Sequence, residues 1–295
     1  MRLAAPRSIV LISLGVSFAC SGSTVTSQET PAQGPFVDQG LRLKLATRIA
    51  QVSGGPPAAV LRVPRAGSTQ VGLRSARARL SNGSPDWTDS AIEITHEFEK
   101  RKLLIGTLTD SSRFGLKDTT ATIEGYYPFS QRLTGYAGVT ASDTHRVLAR
   151  DSVHGQLAYA LDGGWGVLAG FKHATYNTTS VDTADFTLER YFSNYRAAFT
   201  VLPAHSRTAG SAASYRLAFG YFYGDENRIQ ILFGIGTEVD RPEGANLIVA
   251  TSVRSTALFG RHWFSSAWAL DYAIERTAQG TVTRDGLNVG LRYRF

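Results

Sequence analysis

The chain has 295 residues, which is enough for one large β domain or two ordinary domains. Its 43% apolar and 19% charged residues do not separate soluble from membrane β proteins, because a transmembrane barrel needs apolar side chains at only half of its strand positions. The formal net charge of +7 is spread without a basic block, which argues against nucleic acid as a partner and is compatible with anionic lipid or sugar head groups.

The first 19 residues have the layout of a secretory signal peptide. Two Arg precede the short apolar stretch SIVLISLGVSFA, and Ser17-Phe18-Ala19 forms a small-x-small cleavage site. The apolar stretch is too short to span a bilayer, and a buried N-terminal helix is the alternative interpretation. We therefore predict that residues 1–19 direct export and are removed.

Residues 20–69 are predicted to form a periplasmic linker and N-terminal segment. Cys20 is the only cysteine, so no disulfide can form within the chain, while lipid attachment at Cys20 stays open. Residues 20–40 are rich in Ser, Thr, Gln, Gly and Pro, which is typical of a flexible linker. Residues 41–51 fit a helix or a strand, and we expect them to plug a barrel from below or to lie against its rim.

From about residue 70 to the end, strand-like runs follow one another, separated by turn signals. In the last run, Leu287, Val289 and Leu291 alternate with Asn288 and Gly290, a period of two that gives one apolar and one polar face. Thirteen connections, mostly longer and shorter in turn, predict fourteen strands, with twelve or sixteen as alternatives. Among the expected connections are SSRFGLKD (111–118), GRHWFSS (260–266) and RTAQGTVTRD (276–285). After residue 20 no run approaches 18 apolar residues, so no membrane-spanning helix is expected.

The apolar face of these strands could meet either lipid or a protein core. A soluble secreted β protein would turn it inward, but the runs are long for a soluble domain. Tyr and Trp also recur near the strand ends, as in the aromatic belts of membrane barrels, and charges fall mostly on the other face. The sequence therefore predicts an all-β fold, an antiparallel up-and-down β-barrel over 70–295 that spans the outer membrane and contacts its lipid.

Several short stretches resemble the YaiO family of outer-membrane β-barrel proteins. They are Trp87, RFGLKD (113–118), YYPF (126–129), GGWGVLAGFKHATY (163–176) and SNYRAAF (193–199). The resemblance implies a barrel in the outer membrane of a Gram-negative-type bacterium, inserted by the barrel-assembly machinery, which reads a terminal aromatic residue. Phe295 fits that role. The tetratricopeptide repeats of some family members cannot be accommodated in residues 20–69, and the resemblance implies no particular activity.

The polar face predicts a charged lumen. Its members carry both signs and are Glu93, Glu97, Glu124, Lys172, Glu189, Arg216, Arg228, Arg254, Asp271, Glu275, Arg284, Arg292 and Arg294. They are expected to neutralise one another and fill the lumen, which favours a structural or transport-associated role. The alternatives are a narrow solute channel with opposed acidic and Arg walls, and an envelope scaffold that contacts polysaccharide.

An enzyme is the alternative from a different class. Ser152 and His154 share one strand face, as the pair of a barrel-type lipid hydrolase would, but no acid or amide partner is specified. The six His and the acids show no metal-ligand spacing, and the Gly-x-Gly stretches lack a following helix. We therefore expect no enzyme activity, no metal and no cofactor.

Overall fold

The computed structural model describes residues 67–99, 102–224, 226–240 and 249–295, without the side chains of Asp240 and Val249. The predicted signal peptide, Cys20 and the segment 41–51 lie outside the described residues. Within the part that is described, no helix is long and apolar enough to cross a membrane.

Fourteen antiparallel strands form one closed barrel, which confirms the predicted fold. The strands are β1 Ser68–Leu80, β2 Trp87–Glu99, β3 Lys102–Arg113, β4 Leu116–Pro128, β5 Leu133–Ser142, β6 Asp151–Ala160, β7 Trp165–Thr175, β8 Ser180–Phe192, β9 Tyr195–Ser206, β10 Gly210–Tyr223, β11 Asn227–Asp240, β12 Val249–Trp263, β13 Trp268–Gln279 and β14 Val282–Arg294. A 3-10 turn, Asp162–Gly164, precedes β7. Strand β1 closes the barrel against β14, in a register that runs from Gln70 opposite Arg294 to Leu80 opposite Arg284.

The two faces of each strand meet different surroundings. On β4, Ile123 is 58% exposed on the outer surface, whereas its neighbour Glu124 is only 7% exposed and points into the lumen. Most of the exposed large apolar side chains share this outward parity, from Leu73 on β1 to Leu291 on β14. A continuous apolar outer surface is stable in lipid, so the alternation follows from the bilayer as solvent.

The two openings of the barrel differ in their connections. Strand β1 begins and β14 ends at the same opening, where the connections are two to four residues long. The connections 81–86 and 143–150 lie at the opposite opening. Turns of outer-membrane barrels are short on the periplasmic side. We therefore call the first opening the periplasmic mouth and the second the extracellular mouth.

Two stretches that we expected to be loops are strand and tight turn. Strands β3 and β4 run to Arg113 and from Leu116, so that only Phe114 and Gly115 connect them. Both have positive φ, 53° and 78°, which is the backbone that two-residue hairpins require. The stretch from Arg276 to Asp285 is likewise mostly strand. It contains the end of β13 and the start of β14, which are joined by a turn at Gly280 and Thr281. The alternation of long and short connections therefore holds only in part.

The lumen is partly apolar. Six inward side chains on five strands form a buried apolar cluster: Tyr191, Phe222, Leu232, Ala257, Phe259 and Ala273. A smaller cluster on β3, β4 and β5 consists of Leu103, Ile105, Tyr126 and Tyr136. These residues exclude water from much of the interior, which strengthens the interactions of the charged groups beside them.

Candidate functional site in the barrel lumen

Twelve of the thirteen side chains that we expected in the lumen lie on the inward face of their strands. The exception is Arg254. The register of β12 pairs Arg254 with Ile235 and Ala278, all three exposed on the outer surface. On β12 several inward positions are apolar, among them Val253, Ala257 and Phe259. Because these residues pack in the lumen, the rule that sends apolar side chains to lipid fails on this strand. The placement of Arg254 in the lumen is therefore corrected.

Six inward charges form what we call the waist cluster: Arg74, Glu93, Arg228, Arg261, Asp271 and Arg292. Arg292 lies 2.7 Å from Glu93 and 3.3 Å from Asp271, measured between nitrogen and oxygen. Arg261 holds the same Asp271 through two N–H groups, of which Nη2 donates over 2.9 Å. The two carboxylates are therefore shared among the guanidinium groups of Arg261 and Arg292.

The register of the sheet brings the waist cluster together. One row of directly opposed residues runs from Arg228 to Arg261, Asp271, Gly290 and Arg74, on β11, β12, β13, β14 and β1. The neighbouring row joins Arg292, Gly72 and Glu93. Opposed residues on one sheet face have Cβ atoms about 4.5–5.5 Å apart, so long side chains in these rows meet.

Small residues make room for the cluster. A Cβ atom on Gly72 would lie 3.4 Å from the guanidinium of Arg292, which crosses above β1 to reach Glu93 on β2. The six charges line a cavity of about 50 Å³, together with Gly72, Ala91 and Gly290 among others. Such a space holds a few waters, so the waist of the barrel is narrow.

Other predicted lumen residues form ion pairs around the waist cluster. Glu189 pairs with Arg196 at 2.8 Å, Arg216 with Glu238 at 3.4 Å and Glu275 with Arg284 at 3.6 Å. Glu97 is buried and Lys172 is half-buried, each on the inward face of its strand. Acids and bases thus form several ion pairs around the waist cluster.

A second bridge lies at the periplasmic mouth. Arg294, near the end of β14, is 2.6 Å from Glu226 in the turn between β10 and β11. Its guanidinium lies 3.7 Å from the ring centroid of Trp263 on β12. The contact spans several strands and narrows this opening. Phe295 beyond it is 73% exposed, and its N–H donates to the carbonyl of Thr69 on β1.

His154 has other partners than Ser152. Its Nε2 lies 2.5 Å from the hydroxyl of Tyr136 and 3.3 Å from Glu124, and Tyr136 also donates to Glu124. These three side chains come from β6, β5 and β4 and are buried in the lumen. The Nε2 of His154 is therefore engaged by a phenol and a carboxylate from neighbouring strands, while its Nδ1 is buried without a hydrogen-bond partner among the described residues.

The connection 143–150, which we call the mouth loop, folds inward at the extracellular mouth. Its Val147, Leu148 and Ala149 are buried, and Ala149 belongs to a cluster with Tyr176, Val181 and other apolar residues. Backbone bonds tie its ends to the barrel, from the N–H of Ser142 to the carbonyl of Arg150 and from the N–H of Arg150 to the carbonyl of Thr175. The loop therefore narrows the extracellular mouth.

Asp118 holds the mouth loop. Its carboxylate is 1% exposed and accepts the backbone N–H groups of Arg146, Val147 and Leu148 at 2.7–2.9 Å, and the hydroxyl of Thr144. Hydrogen bonds to a charged acceptor are among the strong ones. Asp118 thus ties the middle of the loop to the barrel wall.

Asp143 strengthens the start of the mouth loop. Its carboxylate accepts the N–H groups of Thr119 and Thr144, and these bonds lower the pKa of Asp143 below its ordinary value. The charged form of Asp143 is therefore the one that ties the loop to β4.

Several residues of the candidate site were not found from the sequence. Arg261 falls in the stretch GRHWFSS, which we expected to be a connection, although β12 continues to Trp263. Arg74 is inward while Arg77 and Arg79 are outward, and only the parity of Val71 and Leu73 distinguishes them. Asp118 was hidden in an expected loop.

Within the described residues, no group of three or more His, Cys, Asp or Glu could hold a metal ion. The lumen presents guanidinium groups, carboxylates, phenols, amides, hydroxyls, the ammonium of Lys172 and the imidazole of His154. These groups can bind and orient charged or polar solutes.

The model of the YaiO membrane beta barrel domain matches residues 68–241, which is more than half of the chain. This chain belongs to the YaiO membrane β-barrel family. The match ends at the end of β11, and strands β12 to β14 complete the YaiO barrel beyond it. The protein is an integral outer-membrane protein, as the sequence predicted. No curated protein matches the chain.

Solved structures resemble the barrel at low identity. The CymD monoaromatic hydrocarbon channel is 12% identical, with 84% of this chain and 96% of that chain covered and a TM-score of 0.49. A bacterial polysaccharide outer membrane secretin is 9% identical over 79% and 99%, with a TM-score of 0.49. Omp33 of Acinetobacter baumannii is 10% identical over 78% and 100%, with a TM-score of 0.48. At such values nothing about substrate follows for the YaiO barrel.

Proposed function

We propose that this barrel is a non-enzymatic, transport-associated protein: a narrow channel for small polar or charged solutes, closed in the conformation described here. The observation that carries the proposal is the waist cluster, in which four buried and two half-buried charges surround a small cavity. The outer-membrane lipid is its environment, and the solute passes through the lumen.

The cost of buried charge supports a functional role for the waist cluster. Desolvating an ion costs several kcal/mol, and well-packed apolar side chains of similar volume fill an interior at least as stably. The same lumen already contains apolar clusters, so this solution is available to the fold. Ionisable groups kept at membrane depth mark ion or solute pathways, and Arg-rich constrictions favour anions.

The non-enzymatic part of the proposal is supported by the surroundings of His154. A hydrolase needs a nucleophile hydrogen-bonded to its base. Here the Nε2 of His154 is engaged by Tyr136 and Glu124, and its Nδ1 has no hydrogen-bond partner among the described residues. The buried arrangement of these groups fits a structural network on the inner wall.

Release of the mouth loop tests the channel. Asp118→Ala removes the acceptor of three backbone N–H groups of the loop, so we expect the loop to leave the lumen and the barrel to conduct. In planar bilayers, refolded wild-type protein should show rare or small conductance steps. The Asp118→Ala variant should show more frequent openings with a larger unit conductance.

Asp110→Ala is the matched control, because Asp110 lies at a similar height on the neighbouring strand β3 but is exposed on the outer surface. It should conduct as the wild type does. If neither the wild type nor the Asp118→Ala variant shows conductance steps although both are correctly folded, the channel proposal is contradicted. That result would favour the second candidate, a sealed envelope scaffold in contact with polysaccharide, which the burial of the lumen side chains also supports.

A further inference from the structure

The waist cluster carries more positive than negative charge. Four guanidinium groups, those of Arg74, Arg228, Arg261 and Arg292, face the two carboxylates of Glu93 and Asp271. Two further acids lie within electrostatic range of this group, Asp89 near Arg74 and Glu226 near Arg228. Each has its own Arg, since Arg113 binds Asp89 through two oxygens at 2.8 Å and Arg294 binds Glu226. Two positive charges of the cluster are therefore uncompensated.

Hydrogen-bond donors remain free around the same cavity. The Nη1 of Arg74, the Nε of Arg228 and the Nη1 of Arg261 are shielded from solvent and have no acceptor among the described residues. Arg228 is 4% exposed and Arg261 5% exposed, and Arg228 has no ion pair within the described chain. A buried guanidinium without an acceptor is costly, and each of these donors belongs to a residue that lines the cavity.

We propose that the cavity of the waist cluster is a binding site for a small oxyanion: a phosphate, sulfate or carboxylate group that accepts from Arg228, Arg261 and Arg74. Guanidinium groups match the geometry of such oxygens. A cavity of about 50 Å³ takes an ion the size of a few waters. Glu93 and Asp271 are held by Arg292 and Arg261, so they orient those two side chains and leave Arg228 as the free anchor.

An oxyanion site at the waist would identify the class of solute that the proposed channel conducts. This part of the inference rests on the proposed function. Binding itself is measured without conduction. If the Asp118→Ala variant does not conduct but the anion binds, the channel proposal alone is contradicted. If the barrel conducts but no oxyanion binds, the proposed binding site alone is contradicted.

The test is calorimetric titration of the refolded full barrel in detergent with inorganic phosphate, sulfate and acetate, at constant ionic strength in chloride. We expect at least one of the three to bind, and the preferred one identifies a tetrahedral or a planar oxyanion. Arg228→Met should weaken this binding at least about tenfold, because it removes a charge-assisted hydrogen bond to the anion together with one positive charge. Arg254→Met, which removes an outward Arg from the neighbouring strand, should bind as the wild type does.

Stability separates loss of a ligand group from loss of the fold. In buffer that contains only chloride, Arg228→Met should unfold at a higher urea concentration than the wild type, because it removes an uncompensated buried charge. Added phosphate should raise the wild-type midpoint and leave that of Arg228→Met unchanged. Absence of binding for all three anions, equal binding by Arg228→Met, or a lower urea midpoint for this variant in chloride would each overturn the site.

Discussion

At the scale of residues, inward glycines lie beneath long polar side chains of the next strands. A Cβ atom on Gly72 would touch the guanidinium of Arg292, and one on Gly138 would lie 2.6 Å from the Nε2 of His154. The glycine gives the long side chain room to cross one strand and to reach a partner on the strand beyond. Gly72 thereby permits the contact between Arg292 and Glu93, and Gly138 that between His154 and Glu124.

The pair of Arg292 and Glu93 should be strongly coupled. Arg292→Met leaves the buried carboxylate of Glu93 without its cation, and we expect a loss of about 3–5 kcal/mol in the free energy of unfolding. Glu93→Leu should cost a similar amount. Replacing both together should restore most of the loss, because neither charge then stays unpaired.

Urea unfolding of the refolded barrel in detergent, followed by Trp fluorescence, gives these four free energies as a double-mutant cycle. Arg254→Met serves again as the control, since the outward Arg254 should change stability little. Additive effects of the two lumen substitutions would show that the pair is not coupled.

At the scale of elements, each strand separates a lipid face from a lumen face. Ile123 lies in the middle of β4 on the outer surface, opposite the exposed Val139 of β5. Ile123→Arg should lower the free energy of unfolding in a bilayer by about 2–4 kcal/mol, because the charge meets hydrocarbon at the midplane. Refolding titrations in lipid vesicles measure this cost.

Ser211→Arg is the matched control for the lipid face. Ser211 is exposed near the extracellular end of β10, where an Arg costs about 0–1 kcal/mol. Equal costs at Ile123 and Ser211 would mean that the apolar band of the barrel does not face lipid at the depth that the structure indicates.

At the end of β14, the backbone of Phe295 is hydrogen-bonded while its ring is exposed. The N–H of Phe295 donates to Thr69, while its exposed ring contacts only that of Tyr293 among the aromatic pairs described, edge to face at 4.8 Å. We propose that this ring is read by the barrel-assembly machinery. Phe295→Ala should then lower the amount of assembled protein in the outer membrane several-fold, with refolding in detergent unchanged.

Phe129→Ala controls for the loss of an exposed ring at the same mouth. Phe129 is also exposed and lies in the periplasmic turn between β4 and β5. Membrane fractions of cells that produce each variant give the comparison. An equal reduction for both variants would indicate a general effect of aromatic residues at the rim, and not a signal at Phe295.

At the scale of the whole molecule, the barrel is narrowed at three levels. The mouth loop lies at the extracellular mouth, the waist cluster in the interior, and the bridge of Arg294 and Glu226 at the periplasmic mouth. Each level is held by hydrogen bonds and ion pairs, which can be displaced without breaking a strand. If the barrel conducts as proposed, the three levels are separate positions at which passage would be controlled.

The sequence by itself determined the class of fold, the strand count and the lipid face of most strands. This follows because a period of two is a local property and the bilayer penalises every lipid-facing charge separately. It also identified most of the charged lumen residues, since on most strands the charged parity is the inward one. The tight turn at Phe114 and Gly115 was missed because its flanking residues Ser111 and Arg113 are polar and inward, and so resemble a loop.

Only the tertiary structure decided which charges meet. The waist cluster joins β11 through β2 across the closure of β1 against β14, and its members are separated by up to 218 residues along the chain. The inward apolar residues of β12, the outward place of Arg254 and the anchoring of the mouth loop by Asp118 likewise depend on what packs opposite them. Parity states that a side chain points inward or outward, but the register and closure of the barrel decide its partner.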